Sequence, residues 1–382
     1  MSNNNKKKSQ ASIKKKKNVA NKKIKSIEDW VEEGDNYSDK FDFEKAVHCY
    51  EEALKLDGGN TTIIDTLGEL SLELGRINKA KQYFIKSIQL NAEDNASKYM
   101  NLGQITGGED AVKLYIKGIQ IMERELSDLL KQSKKKKNNN NNNNSKNVSK
   151  KTKKDNEDDD KMDQDDDDDD EDDEEEYDPV LDIKENICSG LCSIAELYLT
   201  DQCFDDNAEV ECENNLLKAI NISPFRPEPY SLMASMKISQ RKNNEAVEYL
   251  TKSYSLWENA DLDERPDFDY RFNVSLLFIE LGQNRIAVDI LEHLVNEQDN
   301  ISEVWYTLSL AYMELNEAIS AQDCIITARE LLNIAMDGRD PSLEEQISSI
   351  EKRINDAVSL LPPEAFEQKD DDDDDDNQDN DI

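Results

Sequence analysis

The chain has 382 residues, with 85 carboxylates against 47 Lys plus Arg and a formal charge of −38. Its apolar content of 36%, with a mean hydropathy of −0.85, is below the roughly 45–50% of ordinary domains, so part of it is expected not to fold. No apolar run approaches the roughly 18 residues of a membrane span, and the strong negative charge disfavours direct nucleic-acid contact while favouring basic partners.

Residues 1–25 carry ten Lys and no acid, and read as a disordered basic arm. They hold no apolar leader core, and with only six cysteines in the chain the expectation is reduced thiols in cytoplasm and nucleus. Lys14 to Lys17, backed by Lys22, Lys23 and Lys25, form a candidate nuclear-import signal, which makes an import receptor a candidate partner.

From Ile27 a 34-residue period begins. With Ile27 as position 1, Trp30, Gly34, Tyr37, Ala46, Tyr50 and Ala53 occupy positions 4, 8, 11, 20, 24 and 27. One period on stand Gly68, Ala80 and Phe84. This is the tetratricopeptide (TPR) grid: small residues at 8 and 20 let two antiparallel helices approach, and aromatics fill the space between neighbours. A third unit follows at 95–122 with Gly103, Ala111, Tyr115 and Gly118. Its Ala is 31 residues after Ala80, which suggests a shortened turn around Gly107 and Gly108. Units one to three are thus expected over 26–130.

Residues 131–178 read as a disordered insert, first Lys-rich around Asn138 to Asn144, then acidic. Units four to seven follow over 179–338. A degenerate unit carries Cys212, Ala219 and Pro224, and Ala246, Ala287 and Ala321 take position 20 of the rest. The apolar spacing of Leu343, Ile347, Ile350, Ile354 and Val358 predicts a capping helix within 339–363, ended by Pro362 and Pro363. Residues 364–382 read as a disordered acidic tail. The arm, the two halves of the insert and the tail from Lys369 carry +10, +10, −18 and −8, which leaves −32 on the repeats and their connections. The fold class is all-α: a TPR superhelical solenoid of about seven units with a C-terminal capping helix, interrupted by a disordered insert.

Nothing in this pattern points to an enzyme. The two histidines, His48 and His293, fall in second helices of units, where a structural role is expected, and no phosphate-loop, nucleophile-elbow or zinc-protease motif occurs. Cys188, Cys192, Cys203 and Cys212 lack the paired spacing of structural zinc and read as small packing residues. No metal or cofactor is expected.

Binding by a TPR array uses the first helix of each unit, at positions 2, 5, 9, 12 and 13. Here these include Glu28, Asp35 and Asp39 in unit one, and Asp65, Glu69 and Glu73 in unit two. Unit six offers Asp269, Phe272 and Glu280; unit seven offers Glu303, Tyr306 and Glu314. No Lys or Arg stands at these positions in the four units, whereas a merely solubilising face would mix both signs. The expectation is a groove for a basic, extended segment, with its charges on the carboxylates and its apolar parts on Phe272 and Tyr306. The clamp that binds acidic chaperone tails needs Lys and Asn where this chain has Val31, Asp35 and Thr66, so that ligand class is set aside.

The string WVEEG at 30–34, AVHCYEEALKL at 46–56 and KYMNLGQITGGEDAVKLYIKGIQI at 98–121, followed by an acidic low-complexity insert and an Asp-rich tail, give a resemblance. The chain resembles the assembly chaperones of large-subunit ribosomal protein four, a eukaryotic TPR family, from about Ile27 to Asp381 apart from the insert. The resemblance implies a non-enzymatic escort. It would hold the long basic internal loop of that newly made ribosomal protein in the groove, keep it soluble on the way to the nucleus, and release it to the pre-60S particle. The alternatives are a histone or general basic-protein chaperone working through the acidic runs, and a TPR scaffold.

Overall fold

The computed structural model describes residues 25–147, 178–334, 341–362 and 365. The Lys14 to Lys17 cluster, the acidic half of the insert and the Asp-rich tail lie outside them. Among the described residues every regular element is a helix. The chain divides into two compact units at Ala208.

The first unit contains α1 (Ile27–Ser38), α2 (Phe43–Leu56), α3 (Thr61–Glu73), α4 (Ile77–Leu90), α5 (Ser97–Gln104), α6 (Gly108–Asn147) and α7 (Pro179–Leu199). Ser26 opens α1 with a capping box: its hydroxyl accepts from Asp29 N at 3.1 Å, and Ser26 N donates to Asp29 Oδ2 at 2.9 Å. Asn60 caps α3 through Ile63 N at 3.2 Å, and Asp178 caps α7 through Val180 N at 2.8 Å.

The pairs close as the 34-residue grid predicts. Ala46, Ala80 and Ala111 are all completely buried. Each position-8 glycine sits beneath the aromatic of the following helix: Gly34 under Tyr50, Gly68 under Phe84, Gly103 under Tyr115. A methyl group on Gly68 would fall 2.5 Å from Phe84 Cε1, inside van der Waals contact.

Two features depart from the sequence expectation. The shortening of unit three lies in its first helix rather than in its turn: α5 has 8 residues where α3 has 13. The loss falls at the C-terminal end of α5, which stops at Gln104 just after Gly103, whereas α3 runs on from Gly68 to Glu73. The start of α5 is kept by the linker before it, with Asn95 in the left-handed region at φ +44°. Second, α6 runs past the boundary expected at 130 to Asn147. Its first turns are anchored by buried Ala111, Val112, Tyr115, Ile119 and Met122, and no Gly or Pro follows Gly118 before Asn147. A nucleated helix therefore propagates at little cost through Lys134 to Lys137, good helix formers, and continues into the Asn run, where the cost per residue is higher.

The second unit contains α8 (Ala208–Ile222), α9 (Glu228–Ser239), α10 (Asn243–Tyr254), α11 (Phe268–Glu280), α12 (Asn284–Glu297), α13 (Ser302–Glu314), α14 (Ala318–Ile334) and α15 (Pro341–Ser359). One continuous core joins Leu250, Phe278, Leu291, Leu308 and Ile325 to Ile347, Ile350 and Ile354 of α15. The last three cover the open apolar side of the final pair, as a capping helix must. Ala246, Ala287 and Ala321 are again completely buried.

One conformational rule recurs in both units. Position 15, the residue before the last of the intra-pair turn, is left-handed at Phe41 (φ 57°), Gly75 (64°), Arg241 (59°), Gly282 (72°) and Asn316 (62°). Gly75, Gly282 and Asn316 are types that favour this conformation, whereas Phe41 and Arg241 are not, so the rule is only partly visible in the sequence.

Candidate functional site

On α1, Glu28 and Asp35 are exposed, and Asp39 is exposed just beyond its end. The hydroxyl of Tyr50 donates to Asp35 Oδ1, which orients that carboxylate without removing it from solvent. On α3, Glu69 and Glu73 are exposed.

Asp65 corrects the sequence expectation. It is only 3% exposed, and its Oδ2 accepts from Asn95 Nδ2 at 2.8 Å. The linker between α4 and α5 carries Asn95 over it, so Asp65 ties α3 to that linker instead of facing a partner. Its Oδ1 has no hydrogen-bond partner. Glu69 lies one turn along α3, its side chain reaching solvent from a recessed surface, and desolvation by the surrounding protein followed by the Asp65 charge holds its carboxyl above the usual carboxylate range.

In the second unit Asp269 and Glu280 of α11, and Glu303 and Glu314 of α13, are exposed, while Phe272 and Tyr306 are half-buried beside the core. Tyr306 and Leu310 line a cavity of about 400 Å³ closed by Ile350 and Arg353 of α15. The capping helix thus brings a cation beside Tyr306 that the first-helix positions do not show. Its charge opposes the burial that raises the Tyr306 hydroxyl.

A single electrostatic property unites the exposed set. Among the described residues, none of Glu28, Asp35, Asp39, Glu69, Glu73, Asp269, Glu280, Glu303 or Glu314 forms an ion pair. Some carboxylates elsewhere are neutralised by neighbours: Glu93 by Lys117 at 2.6 Å and Arg124 at 2.8 Å, Glu213 by Lys237 at 2.8 Å.

A larger cavity, about 900 Å³, lies between α5, α6 and α7. Its walls carry Asn101, Gln104, Asn186 and Ser189, with Tyr115 and Met122 behind them. Sequence reasoning passed over these residues because units three and four break the 34-residue register. The available signal was the polar stripe Asn186, Ser189, Ser193 and Glu196 at helical spacing on the otherwise apolar α7.

Other groups serve packing. His48 meets Trp30 edge-on with centroids 6.3 Å apart. Cys188, Cys192 and Cys212 are buried, and burial pushes the Cys212 thiol up to about 12, the opposite of a metal-ready thiolate. Cys203 is exposed. No cluster of three or more His, Cys, Asp or Glu among the described residues could hold a metal, and no helix there is long and apolar enough to cross a membrane.

The fold defines the class: a helical-repeat protein of the TPR type, and tetratricopeptide repeat families match residues 27–60 and 63–94. More particularly, the chain is similar to a protein of Schizosaccharomyces pombe named probable assembly chaperone of rpl4, with 29% identity over 252 residues, 64% of this chain and 61% of the relative. It is also similar to the protein of that name in Emericella nidulans, with 23% identity over 277 residues, 68% of this chain and 58% of the relative. The chain therefore spans about three fifths of each curated relative. The solved structure of the Assembly Chaperone of RpL4 (Acl4), residues 1–338, shares its fold, with a TM-score of 0.63 at 22% identity over 77% of this chain and 98% of that one.

Proposed function

We propose that this protein is a dedicated chaperone for a newly made, basic large-subunit ribosomal protein, the fourth, and that the first-helix carboxylates hold an extended basic segment of it. The observation that carries this reading is the absence of any ion pair, among the described residues, at the candidate carboxylates of either unit. Unneutralised charge on an ordered helical face attracts a cationic chain and raises its association rate roughly 10- to 1,000-fold at low salt. Lys and Arg of the client would pair with Glu28, Asp35, Asp39, Glu69 and Glu73 in the first unit. They would pair with Asp269, Glu280, Glu303 and Glu314 in the second, while apolar side chains rest on Phe272 and Tyr306. The curated relatives bear the corresponding name. Escort from cytoplasm to nucleus, aided by an import receptor recognising the Lys-rich arm, belongs to the same proposal.

Affinity purification of the full chain from its own lysate, followed by mass spectrometry, tests it. The fourth large-subunit protein should be enriched at low salt and depleted at 0.5 M salt. Failure to enrich it removes the proposal. Deleting 155–178 and 370–382 separates this reading from general polyanion binding, because helical-face binding survives the deletion.

A further inference from the structure

A groove of about 330 Å³ opens between the second helices α12 and α14, on the far side of α13 from its candidate binding face. Trp305, Leu308 and Tyr312 form its floor, and helical spacing sets these three opposite Glu303, Tyr306 and Glu314. Glu292 of α12 stands on one rim and Asp323 of α14 on the other, and the lining holds no Lys or Arg. Trp305 Nε1 donates 2.8 Å to Asp299 O, which fixes the indole while its ring stays partly exposed. The Tyr312 hydroxyl donates to Glu292 Oε1 and holds that carboxylate at the groove. Glu292 pairs with no Lys or Arg among the described residues. Arg285, the cation two turns before it on α12, is engaged by Glu317.

Unit one shows what the same repeat position does when a cation is at hand. Trp30 occupies position 4 there, as Trp305 does in unit seven. Lys25 Nζ lies 3.9 Å from the centre of the Trp30 ring, and the same ammonium pairs with Glu33. Position 22, beside the indole, is His48 in unit one and Asp323 in unit seven, so the later site is the more acidic. Yet no cation of the described residues lies over Trp305.

We infer that this outer groove takes an arginine side chain from a basic segment of a partner protein, its guanidinium stacked on Trp305 and paired with Glu292 and Asp323. Arginine fits better than lysine because its planar fork stacks on an indole face while its edge donors still reach carboxylates on two sides. The site shares no residue with the first-helix carboxylates and does not depend on which client fills them.

The full chain labelled with 5-fluorotryptophan gives three fluorine resonances, assigned by Trp30→Phe, Trp257→Phe and Trp305→Phe. Acetyl-Gly-Arg-Gly-amide is the probe, and its citrulline counterpart, of like shape but neutral, is the control. The arginine peptide should shift the Trp305 resonance saturably and leave Trp30, already covered by Lys25, in place, while the control shifts neither. Glu292→Gln with Asp323→Asn should weaken binding about tenfold, and Asp323→Lys, which sets a cation in the groove, should abolish it. Circular dichroism and unmoved Trp30 and Trp257 resonances check that both variants fold. No shift at Trp305, equal shifts with both peptides, or undiminished binding in both variants overturns the inference. Spermidine acting at lower concentration than the peptide would make the ligand a free polyamine, and a Trp305 resonance that moves on deletion of residues 1–24 would make it this chain's own arm. Either result overturns the partner assignment.

Discussion

Tyr50 and Asp35 meet across the first helical pair: the phenol donates to the carboxylate, while the tyrosine ring lies over Gly34. One contact therefore joins the packing of α1 on α2 to the aim of a carboxylate proposed to hold the client. Burial, and then Asp35, raise the Tyr50 hydroxyl well above its ordinary value, so it remains a donor throughout physiological pH. Tyr50→Phe keeps the ring and removes the hydrogen bond. Thermal melts should show a loss of about 1 kcal/mol, and client affinity should drop a few-fold through the freed Asp35.

Gly68→Ala sets two effects against each other. Alanine gains about 0.5–1 kcal/mol over glycine inside a helix, but its methyl would lie 2.5 Å from Phe84, and overpacking costs about 1–3 kcal/mol. The clash should win at Gly68. At Gly103, where the nearest ring atom would be 3.1 Å away, the terms nearly cancel. Phe84→Leu should rescue Gly68→Ala, which a double-mutant cycle by urea titration would reveal.

Arg241→Gly should stabilise the protein. Arg241 is exposed and left-handed at φ 59°, a conformation costing a non-glycine residue about 1–2 kcal/mol. A gain of about 1 kcal/mol in the denaturation midpoint is expected, and an unchanged midpoint would refute the cost assigned to position 15.

Arg271 is buried and grips Glu297 with both guanidinium nitrogens, Nη2 lying 2.7 Å from Oε2, while its Nε donates 2.8 Å to Pro266 O. The Arg271 hydrogen bond holds the Glu297 carboxyl below its usual range against the opposing effect of burial. A depressed folded pKa contributes stability above the unfolded value of about 4.3 and loses it as pH falls through the folded value. Acid melts of wild type and Glu297→Gln should therefore converge below pH 4.3 or so. At neutral pH, Glu297→Ala should cost about 3–5 kcal/mol, because the buried Arg271 guanidinium is left without its anion.

Charge reversal at Glu69 and Glu73, or Phe272→Ala with Tyr306→Ala, should weaken client binding without unfolding the chain, as both pairs retain surface access. Glu69 adds a pH signature. Its carboxyl is raised by desolvation and by Asp65, so it protonates before ordinary carboxylates as pH falls, and a basic client should then bind less tightly. Glu69→Gln should flatten that part of the pH profile in a binding titration.

The primary sequence determined the repeat class because TPR packing is local and periodic. Small residues at positions 8 and 20 and aromatics at 24 must recur for two helices to approach, and Gly34, Gly68, Ala46, Ala80, Ala287 and Ala321 recur on that grid. It also marked the carboxylate stripe, since helical spacing assigns residues to a face. It could not decide which of those carboxylates are exposed. Asp65 obeys the same spacing as Glu69, yet it is buried because Asn95, from the linker between α4 and α5, covers it. The continuation of α6 past 130, the amides of Asn101 and Asn186 lining one cavity, and Arg353 beside Tyr306 likewise depend on where separate helices come to rest. Periodicity encodes contacts within a repeat and between regular neighbours. Where the period breaks, only tertiary packing decides which side chains meet and which keep their charge in water.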